Sequence, residues 1–490
     1  MGAEARATRR LSLQTMRAAL FVALLPFLAG AGPLHTALES SEPAEDSVLR
    51  EPPREIRLEY TTDVQVNLSR IRLAGPHEEV EIGPLRYLAA NRHDVLVAPL
   101  PQGLLPGAYR VAWTTAGPDG HPINGEFEYS LLGPTPGEEA LGTQDSTRSQ
   151  TQDSATAPPV DTTAPGDVEG GAAAGQPPVM GDPNSSRGAT GGRWLFYLGI
   201  VATIGALSFR YAVLPQVTRG GELPEVAKGA NHRLWRIAGV GALALLVSSP
   251  VRLFYQVRSF YAGEEEIPVS AYFQMAGAGP WGSGWLLGVA AALLVGAGVL
   301  LARPRGERNP GWAVMALGAV FLPLSPVLSG HAWGRTPQAL AATADFVHVT
   351  AAAAWVGGLL CLLFAGLPAL RAHGVKEGSG QPGLPGMVRA FSRIAMVSVA
   401  LLLLSGALNT WLHLENLAQV WTTSWGRTLV AKLAIVAGVL GLGFYNWRFV
   451  RPALQDTPRP GLLKVPATLE LALGILALIV TSYLVVQPLS

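Results

Sequence analysis

An aspartate and a histidine stand two positions apart in the segment Asp119-Gly120-His121-Pro122, and another histidine, His35, follows an apolar N-terminal stretch. In an extended segment, side chains at i and i+2 point to the same side. A carboxylate oxygen and imidazole nitrogens held close together can bind a transition metal ion. The alternative is a polar turn that binds nothing, because glycine and proline form turns in many surroundings. The residues therefore predict either a compact N/O metal site or a surface turn.

Further ionisable residues lie within or at the ends of long apolar runs. His331 ends one run, and Asp345 and His348 stand three residues apart in the next, on one face of a helix. A charged side chain near the centre of a bilayer costs about 2.5–3.5 kcal/mol, so each such residue needs a reason. We expect His331, Asp345 and His348 to line one polar pocket. Gly357 and Gly358 are expected to allow close helix packing deeper in the membrane.

A later apolar run carries Ser405, Asn409 and His413 at intervals of four residues, which makes one polar stripe on a helix. The stripe is either a path for a metal ion or a set of interhelical hydrogen bonds, which serine and asparagine commonly make. Lys432 is expected near a helix end, with its ammonium group reaching the membrane surface. Glu470, in the last run, is either a cation ligand or an interfacial residue.

The composition predicts one soluble part and one membrane part. The chain has 490 residues, of which 49% are hydrophobic and 14% charged, which is too apolar for an ordinary soluble protein. A net charge of +1 gives no support for nucleic-acid binding. The single cysteine, Cys361, excludes a disulfide framework and a cysteine-based metal site. Metal ligands must then be His, Asp, Glu or Met.

Residues 1–31 have the pattern of a secretory signal peptide. A basic flank that includes Arg9, Arg10 and Arg17 precedes an apolar stretch ending in small residues. Cleavage after Ala31 would leave His35 near the new N-terminus, and the segment that follows is expected to be exported.

The segment 35–133 alternates apolar and polar residues, as in Ile56, Leu58 and Tyr60, with Gly, Pro and Asn turns between short runs. This pattern predicts an exported all-β sandwich or barrel. Residues 134–193 are rich in Gly, Pro, Ser and Thr and contain almost no large apolar residue. They cannot bury enough surface to order themselves, so we predict a disordered linker that acts as a flexible tether.

Residues 194–488 contain eight apolar runs of membrane-spanning length, which predicts an all-α polytopic membrane domain of about eight helices. The runs lie near 194–214, 235–254, 284–302, 312–331, 339–366, 393–413, 428–448 and 466–486. Most basic loop residues then fall on one side, so the positive-inside rule places the β-domain and both chain ends outside the cytoplasmic membrane. The outward loop with Glu264, Glu265 and Glu266 is either a patch that attracts cations or ordinary solvated surface.

Several segments resemble known copper proteins. The segment His35-Thr-Ala-Leu-Glu-Ser-Ser-Glu-Pro, together with Trp113 leading to Asp-Gly-His-Pro, resembles the CopC family of periplasmic copper-binding proteins. The second half is similar to the CopD family of copper-resistance membrane proteins. The motifs of this second resemblance are Ser-Gly-His331, Asp345-Phe-Val-His348 to Trp355-Val-Gly-Gly358, Phe391-Ser-Arg393, Ser405-Gly-Ala-Leu-Asn409 and Trp425-Gly-Arg427 to Lys432.

The CopC resemblance implies a Cu(II) site on an immunoglobulin-like or cupredoxin-like β-domain. By position, its ligands are His35, Asp119 and His121. Tetragonal N/O coordination favours Cu(II) over metals that prefer softer ligands. Some CopC proteins also carry a Met-rich Cu(I) site, but no methionine lies between Met16 and Met180 here. His77 and His93 are either substitute ligands or isolated surface histidines.

We therefore predict a non-enzymatic copper handler in the cytoplasmic membrane that contributes to copper homeostasis or resistance. The β-domain captures Cu(II) outside, and the helical domain moves copper inward, with Cu(I) as a candidate species in the membrane. The expected membrane path consists of His331, Asp345, His348 and His413. The sequence has no Gly-rich phosphate-binding loop, which argues against direct ATP-driven export. The candidate partners are copper ions, the lipid bilayer and periplasmic copper chaperones.

Two alternatives stay open. One is a membrane redox protein, in which His331 and His348 ligate haem and Cu(II) is reduced before uptake. That site needs histidines that face each other at depth, and only His348 is clearly placed so. The other alternative is a copper-resistance scaffold or sensor that transports nothing.

Overall fold

The computed structural model describes part of the chain, and the predicted ligands fall largely outside that part. The described residues are 36–117, 120, 122–133, 186–218, 224–261, 264, 266–302, 309–330, 337–372, 383–414, 416–456, 460–485 and 487. His35, Asp119, His121 and His331 lie outside these residues, as does the linker segment 134–185. The backbone of His413 is described, but its side chain is not.

The segment 36–133 folds as a two-sheet β-sandwich, which confirms the predicted fold class. One sheet has the strand order β1-β3-β7-β6 and the other β2-β9-β8-β4-β5. Successive side chains of a strand point to opposite faces, so Ile56, Leu58 and Tyr60 of β3 all enter the core and are at most 2% exposed. The strands are β1 (Leu38–Glu42), β2 (Val48–Leu49), β3 (Glu55–Tyr60), β4 (Arg70–Ala74), β5 (Glu79–Val80), β6 (Arg86–Ala89), β7 (Arg92–Pro99), β8 (Gly107–Ala116) and β9 (Pro122–Leu131).

The β8–β9 hairpin carries the Asp-Gly-His-Pro segment at its tip. The antiparallel ladder ends with Ala116 opposite Pro122. Near this end, Trp113 is buried and packs edge-on against Tyr60, with ring centroids 5.5 Å apart. The packed part of the hairpin therefore ends where the predicted metal ligands begin.

Eight helices are long and apolar enough to cross a membrane, which confirms the predicted number within the described residues. They are α1 (Arg187–Val217), α2 (Pro224–Phe260), α3 (Gly279–Leu301), α4 (Pro310–Leu328), α5 (Gln338–Ala372), α6 (Leu384–Leu412), α7 (Ser424–Leu454) and α8 (Gly461–Leu484). α1 begins before the predicted start at 194, because the Ser186 hydroxyl caps it by accepting a hydrogen bond from the Ala189 N–H. Short helices at Val269–Gly277 and Gln419–Thr422 precede α3 and α7.

α5 crosses α1 at a pair of glycines. A Cβ atom on Gly205 would stand 2.4 Å from the Gly357 backbone, so neither position accepts a side chain in this arrangement. Small residues allow membrane helices to approach this closely. A Cβ on Gly358 would instead stand 3.1 Å from the Phe391 ring of α6. The expected close packing at the two glycines is confirmed, and it holds α5 between α1 and α6.

The two sides of the helical domain can be told apart by their contacts. Arg193 Nε, near the start of α1, donates to the Ser482 carbonyl near the end of α8 over 3.0 Å. On the other side, Trp235 Nε1 of α2 donates to the Val299 carbonyl of α3 over 2.8 Å. The β-sandwich contacts the side with Arg193. We call that side the β-domain face and the other the opposite face.

The β-sandwich packs directly on the helical domain through an apolar cluster. Leu68 and Ala116 of the sandwich share this cluster with Phe260 at the end of α2, Met275 of the short helix and Trp281 at the start of α3. All of these residues are buried. The linker therefore joins two units that are already in contact.

A charged contact lies beside the apolar cluster. Arg70 of β4 donates to Glu264 over 2.8 Å, and its guanidinium lies 3.9 Å from the centroid of the Tyr261 ring. Arg72 lies 3.8 Å from the same carboxylate. The Glu264 carboxylate therefore pairs with arginines of the β-domain. It is neither part of a patch that attracts free cations nor ordinary solvated surface.

Candidate metal site

Gly120, between Asp119 and His121, does not have the extended backbone that the spacing argument assumes. Its φ is +73°, in the left-handed region that favours glycine. Its N–H donates to the Gly117 carbonyl over 3.0 Å, which closes a four-residue turn. The extended-segment argument is therefore wrong at Gly120. Metal binding by Asp119 and His121 stays a prediction that rests on their donor types and on the CopC resemblance.

The backbone beside His35 lies at the same end of the sandwich as this turn. The hydroxyl of Thr36, which follows His35, is 2.6 Å from that of Thr62. Three residues later, the Gln65 N–H donates to the Ala116 carbonyl over 2.9 Å, and its side-chain amide donates to the Gly117 carbonyl over 2.8 Å. The segment 62–65 therefore joins the start of β1 to the hairpin tip. This arrangement supports a shared site for the three predicted ligands.

The two substitute histidines lie at different ends of the sandwich. Pro76, next to His77, packs on Gly107 at the start of β8, since a Cβ on Gly107 would stand 2.7 Å from the Pro76 Cβ. That is the end of β8 far from the turn, so His77 cannot complete a site there. His93 lies at the turn end, where its carbonyl accepts from the Val64 N–H over 2.9 Å. His93 is exposed and is the one substitute whose position fits.

The turn itself contacts the membrane domain. Gln256 Nε2 of α2 donates to the Gly120 carbonyl over 3.0 Å, and Gln256 is only 4% exposed. A Cβ on Gly120 would stand 2.7 Å from the Cβ of Trp281 at the start of α3. Beside it, Gly279 has a φ of +56° and approaches the Gln65 side chain so closely that a Cβ would collide with it. Gly120, between the two predicted ligands, is therefore held against the ends of α2 and α3.

Below Gln256, α2 presents a stripe of polar side chains to the interior of the helical domain. Its buried members are Gln256 and, below it, Ser249 and Ser248. Arg252 lies one helical turn below Gln256. Its guanidinium donates to Ser329 Oγ over 3.2 Å and lies 4.1 Å from the centroid of the Phe196 ring. The stripe begins at the contact with the turn and leads into the membrane domain.

The stripe continues through side chains of three further helices. Arg252 interacts electrostatically with Tyr197 of α1, and Tyr197 interacts with Asp345 of α5. Asp345 also interacts with Lys432 of α7. The glycine contact between α1 and α5 explains why side chains of these two helices meet. These polar side chains, which we call the polar network, extend from the hairpin turn to Asp345, and the links between their helices are electrostatic.

His348 lies next to this network and is oriented by α6. Its Nδ1 is 3.1 Å from Ser405 Oγ, and that hydroxyl donates to the Leu401 carbonyl over 2.6 Å. Because the serine proton is already used, Ser405 accepts from His348 Nδ1–H, and the ring also interacts with the Leu402 backbone. A Cβ on Gly406 would stand 3.2 Å from His348 Cε1, so this glycine leaves room for the ring. The Ser405 part of the predicted stripe is thus an interhelical hydrogen bond.

The sequence predicts that Lys432 reaches the membrane surface, and the structure shows that this prediction is wrong. Lys432 is half-buried, eight residues into α7, where its ammonium interacts electrostatically with both Asp345 and His348. An isolated carboxylate within a membrane is costly, and a nearby cation offsets that cost. Lys432 therefore supplies the charge that balances Asp345.

The described residues complete only part of the predicted membrane path. Within them, no three His, Cys, Asp or Glu side chains come together as a metal site. Asp345 and His348 supply one oxygen and one nitrogen donor from the same face of α5. His331 and the side chain of His413 lie outside the described part of the chain, so their place in the path stays a prediction.

Glu470 is not an interfacial residue. It is 4% exposed, and its Oε2 accepts from Asn446 Nδ2 over 2.8 Å. It lies nine residues into α8 from the opposite face, roughly 14 Å along a regular helix. This carboxylate belongs to the interior of the helical domain, in the half away from the β-domain.

Sequence reasoning missed Tyr197, Arg252 and Gln256. Arg252 and Gln256 stand four residues apart in an apolar run, so a search for polar residues at helical spacing would have found them. No comparable signal marks Tyr197, because its role depends on how α1 packs against α5.

Three sequence families match the chain. The CopC domain matches residues 38–132, the family "Copper resistance protein D-like, N-terminal domain" matches 184–339, and "Copper resistance protein D" matches 385–484. Asp345 and His348 lie between the second and third of these ranges. The β-sandwich and the eight-helix part thus correspond to separate families.

Similar proteins include one relative that matches most of the chain and others that match the β-sandwich alone. The copper transport protein CutJ of Bacillus subtilis (strain 168) is 22% identical over 470 residues, which cover 94% of this chain and 76% of CutJ. Protein YobA of Escherichia coli (strain K12) is 29% identical over 101 residues, which cover 20% of this chain and 78% of YobA. Two solved structures match the β-sandwich. CopC from Methylosinus trichosporium OB3b is 21% identical and covers 20% of this chain and 95% of its own, with a TM-score of 0.19. PcoC, a methionine-rich copper resistance protein from Escherichia coli, is 27% identical and covers 20% and 98%, with a TM-score of 0.18.

Proposed function

Because this multi-pass membrane protein joins a CopC domain to a CopD copper-resistance domain, we propose that it captures Cu(II) outside the cytoplasmic membrane and moves copper inward. The relative that spans both parts, CutJ, is described as a copper transport protein. The protein acts as a carrier in this proposal and not as an enzyme. His35, Asp119 and His121 hold the captured ion.

The observation that carries the proposal is the contact between the hairpin turn and the helical domain. Gly120 lies between the two predicted ligands Asp119 and His121, and it touches Gln256 and Trp281. An ion held at this turn would be released directly at the mouth of the polar network. The transfer is then intramolecular, without diffusion of free copper through the periplasm.

Asp345 and His348 are the first acceptor in the helical domain. His348 offers an imidazole nitrogen, and Asp345 offers a carboxylate that Lys432 neutralises before copper arrives. Copper bound by the carboxylate would bring a second positive charge, closer to Asp345 than the Lys432 ammonium. Oxygen and nitrogen donors suit Cu(II), and this step therefore needs no change in copper oxidation state.

Weakening the contact between the domains is expected to slow copper accumulation. Glu264→Lys replaces the attraction to Arg70 with repulsion. The pair is partly exposed, with 39% and 22% of the side chains accessible, and such pairs contribute about 0.2–1 kcal/mol. We therefore expect an initial rate of copper accumulation at limiting copper that is lower by a factor of about 1.4 to 5.

The double variant Arg70→Glu with Glu264→Lys restores the opposite charges and should recover most of that rate. Glu225→Lys, an exposed charge reversal near the start of α2 on the opposite face, serves as the matched control. An unchanged rate in Glu264→Lys, or no recovery in the double variant, would count against transfer at this contact.

Reporter fusions test the orientation. Eight spans place both ends of the helical domain on the β-domain face, where Arg193 meets Ser482. A reporter fused after Ser490 should therefore be active outside the cytoplasm. A fusion in the loop at 373–382, which carries Lys376, should report from the cytoplasm. The reverse result at Ser490 would reject the outward position of the β-domain.

A further inference from the structure

We propose that Glu470 and Asn446 form a binding site for a hard monovalent cation, H⁺ or Na⁺, between α7 and α8. Nothing in the copper path requires this site, and it lies nearer the opposite face than Asp345 and His348. A role for the bound ion in driving copper movement would rest on the function proposed above. Binding of the ion at Glu470 is a separate proposal and does not depend on copper transport.

The Glu470 carboxylate is buried without a basic partner. It accepts hydrogen bonds from Asn446 Nδ2, at 2.8 Å, and from the Trp355 side chain of α5. Within the described residues, no lysine, arginine or histidine forms a salt bridge with it. Burying an ionised carboxylate without a counter-charge is costly, so this group calls for a bound cation or a proton.

A second hydrogen-bond acceptor, the amide oxygen of Asn446, lies near the carboxylate and has no partner among the described residues. This atom, Asn446 Oδ1, is buried. Buried polar atoms without partners are rare in folded proteins, and each one needs an explanation. Asn446 also begins the π-helical turn Asn446–Val450 of α7, a distortion that frequently occurs at functional sites. Two neighbouring oxygen groups therefore lack the positive partner that would satisfy both.

A cavity of about 340 Å³ reaches these groups. Its lining includes Glu470, Asn446, Trp355 and Gly443. Gly443 leaves open the space beside the carboxylate, since a Cβ there would stand 3.6 Å from Glu470 Oε1. A cation or a proton can therefore approach the Glu470 carboxylate, which is 4% exposed, from this cavity.

The donor set selects a hard cation and not copper. A carboxylate and an amide oxygen suit H⁺ and alkali cations, whereas Cu(I) prefers thiolate or thioether sulfur. Met396 is the one sulfur-containing residue in the described lining of the cavity, and it is 48% exposed on α6. One carboxylate also matches the charge of a single monovalent ion.

The site shares α5 with the copper ligands. Trp355 stands seven residues after His348, which is nearly two full helical turns and so on the same face, roughly 10 Å along the axis. A cation bound at Glu470 would therefore lie in contact with α5, the helix that also carries Asp345 and His348.

Infrared difference spectroscopy on the purified full-length protein tests the site without copper. Spectra are recorded between neutral and acidic pH in sodium-free buffer, and again with increasing NaCl, in H₂O and D₂O. We expect a titrating carboxylic-acid band that is missing in Glu470→Gln and is shifted by Asn446→Leu. Glu470→Gln keeps an acceptor for Asn446 Nδ2 and so preserves the fold, while Glu470→Asp should keep the band at a different frequency. Glu225→Gln and Met396→Leu are the controls and should match the unaltered protein.

Each result bears on the proposal. If the pH midpoint of the Glu470-dependent band does not change with NaCl, the site binds a proton. If the pH midpoint falls as the NaCl concentration rises, the site also binds Na⁺. Identical difference spectra for the unaltered protein and Glu470→Gln would overturn the proposal, as would loss of the band in Met396→Leu alone. Neither overturning result would affect the copper proposal, because no copper is present in the measurement.

Discussion

Cells that express the His348→Ala variant are expected to accumulate copper only at the background level of cells without the protein. The substitution removes the imidazole, which interacts electrostatically with Lys432, and Ser405 loses its interhelical hydrogen bond. Copper content per cell, measured at matched expression, gives the result directly. Cu(II) binding by the β-domain should stay intact, because its predicted ligands lie in another domain.

His232→Ala is the matched control for this experiment. His232 is also a half-buried histidine of the helical domain, near the opposite face, and its ring packs at a tilt against Trp235 of α2 with ring centroids 5.9 Å apart. It should accumulate copper normally. Normal accumulation by His348→Ala would reduce His348 to a packing role. Loss of β-domain copper in that variant would mean that the two sites do not work separately.

The isolated segment 35–133 is expected to bind one Cu(II), and His121→Ala should lower its affinity more than about 100-fold. Loss of outer-shell partners alone costs roughly 10–100-fold in metal affinity, and a direct ligand should cost more. Titration followed by electron paramagnetic resonance measures both the stoichiometry and the nitrogen ligands. The segment has a hydrophobic core of its own, built from residues of both sheets.

His77→Ala is the control for this titration, because His77 lies at the far end of the sandwich from the turn. It should bind Cu(II) like the unaltered segment. Unchanged affinity in His121→Ala would move the site away from the turn. His93, which lies at the same end of the sandwich, would then be the first residue to replace.

The fold was largely predictable because it depends on patterns that repeat along the chain. Alternation in residues such as Ile56 and Leu58 marks strands, and long apolar runs mark the eight spans. The backbone at Gly120 was not predictable, because an Asp-Gly-His triplet fits an extended strand as well as a left-handed turn. The close approach of Trp281, which itself requires a glycine, is visible only in the folded structure.

The residues of the candidate membrane site that share one helix were predictable from the sequence. The contacts that they make with other helices were not. Asp345 and His348 share a face of α5 by spacing alone. Lys432 was expected at a surface because its distance from the start of α7 says nothing of the carboxylate across the helix interface. The same limit applies to Glu470, whose burial depends on the Asn446 side chain of α7. Sequence patterns report the faces of single elements, whereas charge pairing depends on which faces meet.

The packing of the β-domain against the ends of α2 and α3 has a consequence for the kinetics of the proposed copper transfer. Donor and acceptor belong to one polypeptide, so the acceptor experiences an effective donor concentration set by the chain and not by the periplasm. Delivery should then be first order in loaded hairpin and should saturate once every hairpin carries copper, however much copper is added outside. A docked and loaded hairpin also covers the mouth at Gln256 and Trp281, so the next ion has to wait for its release. Turnover at high copper would therefore be set by release of the bound ion into the helical domain, and each cycle would admit one ion.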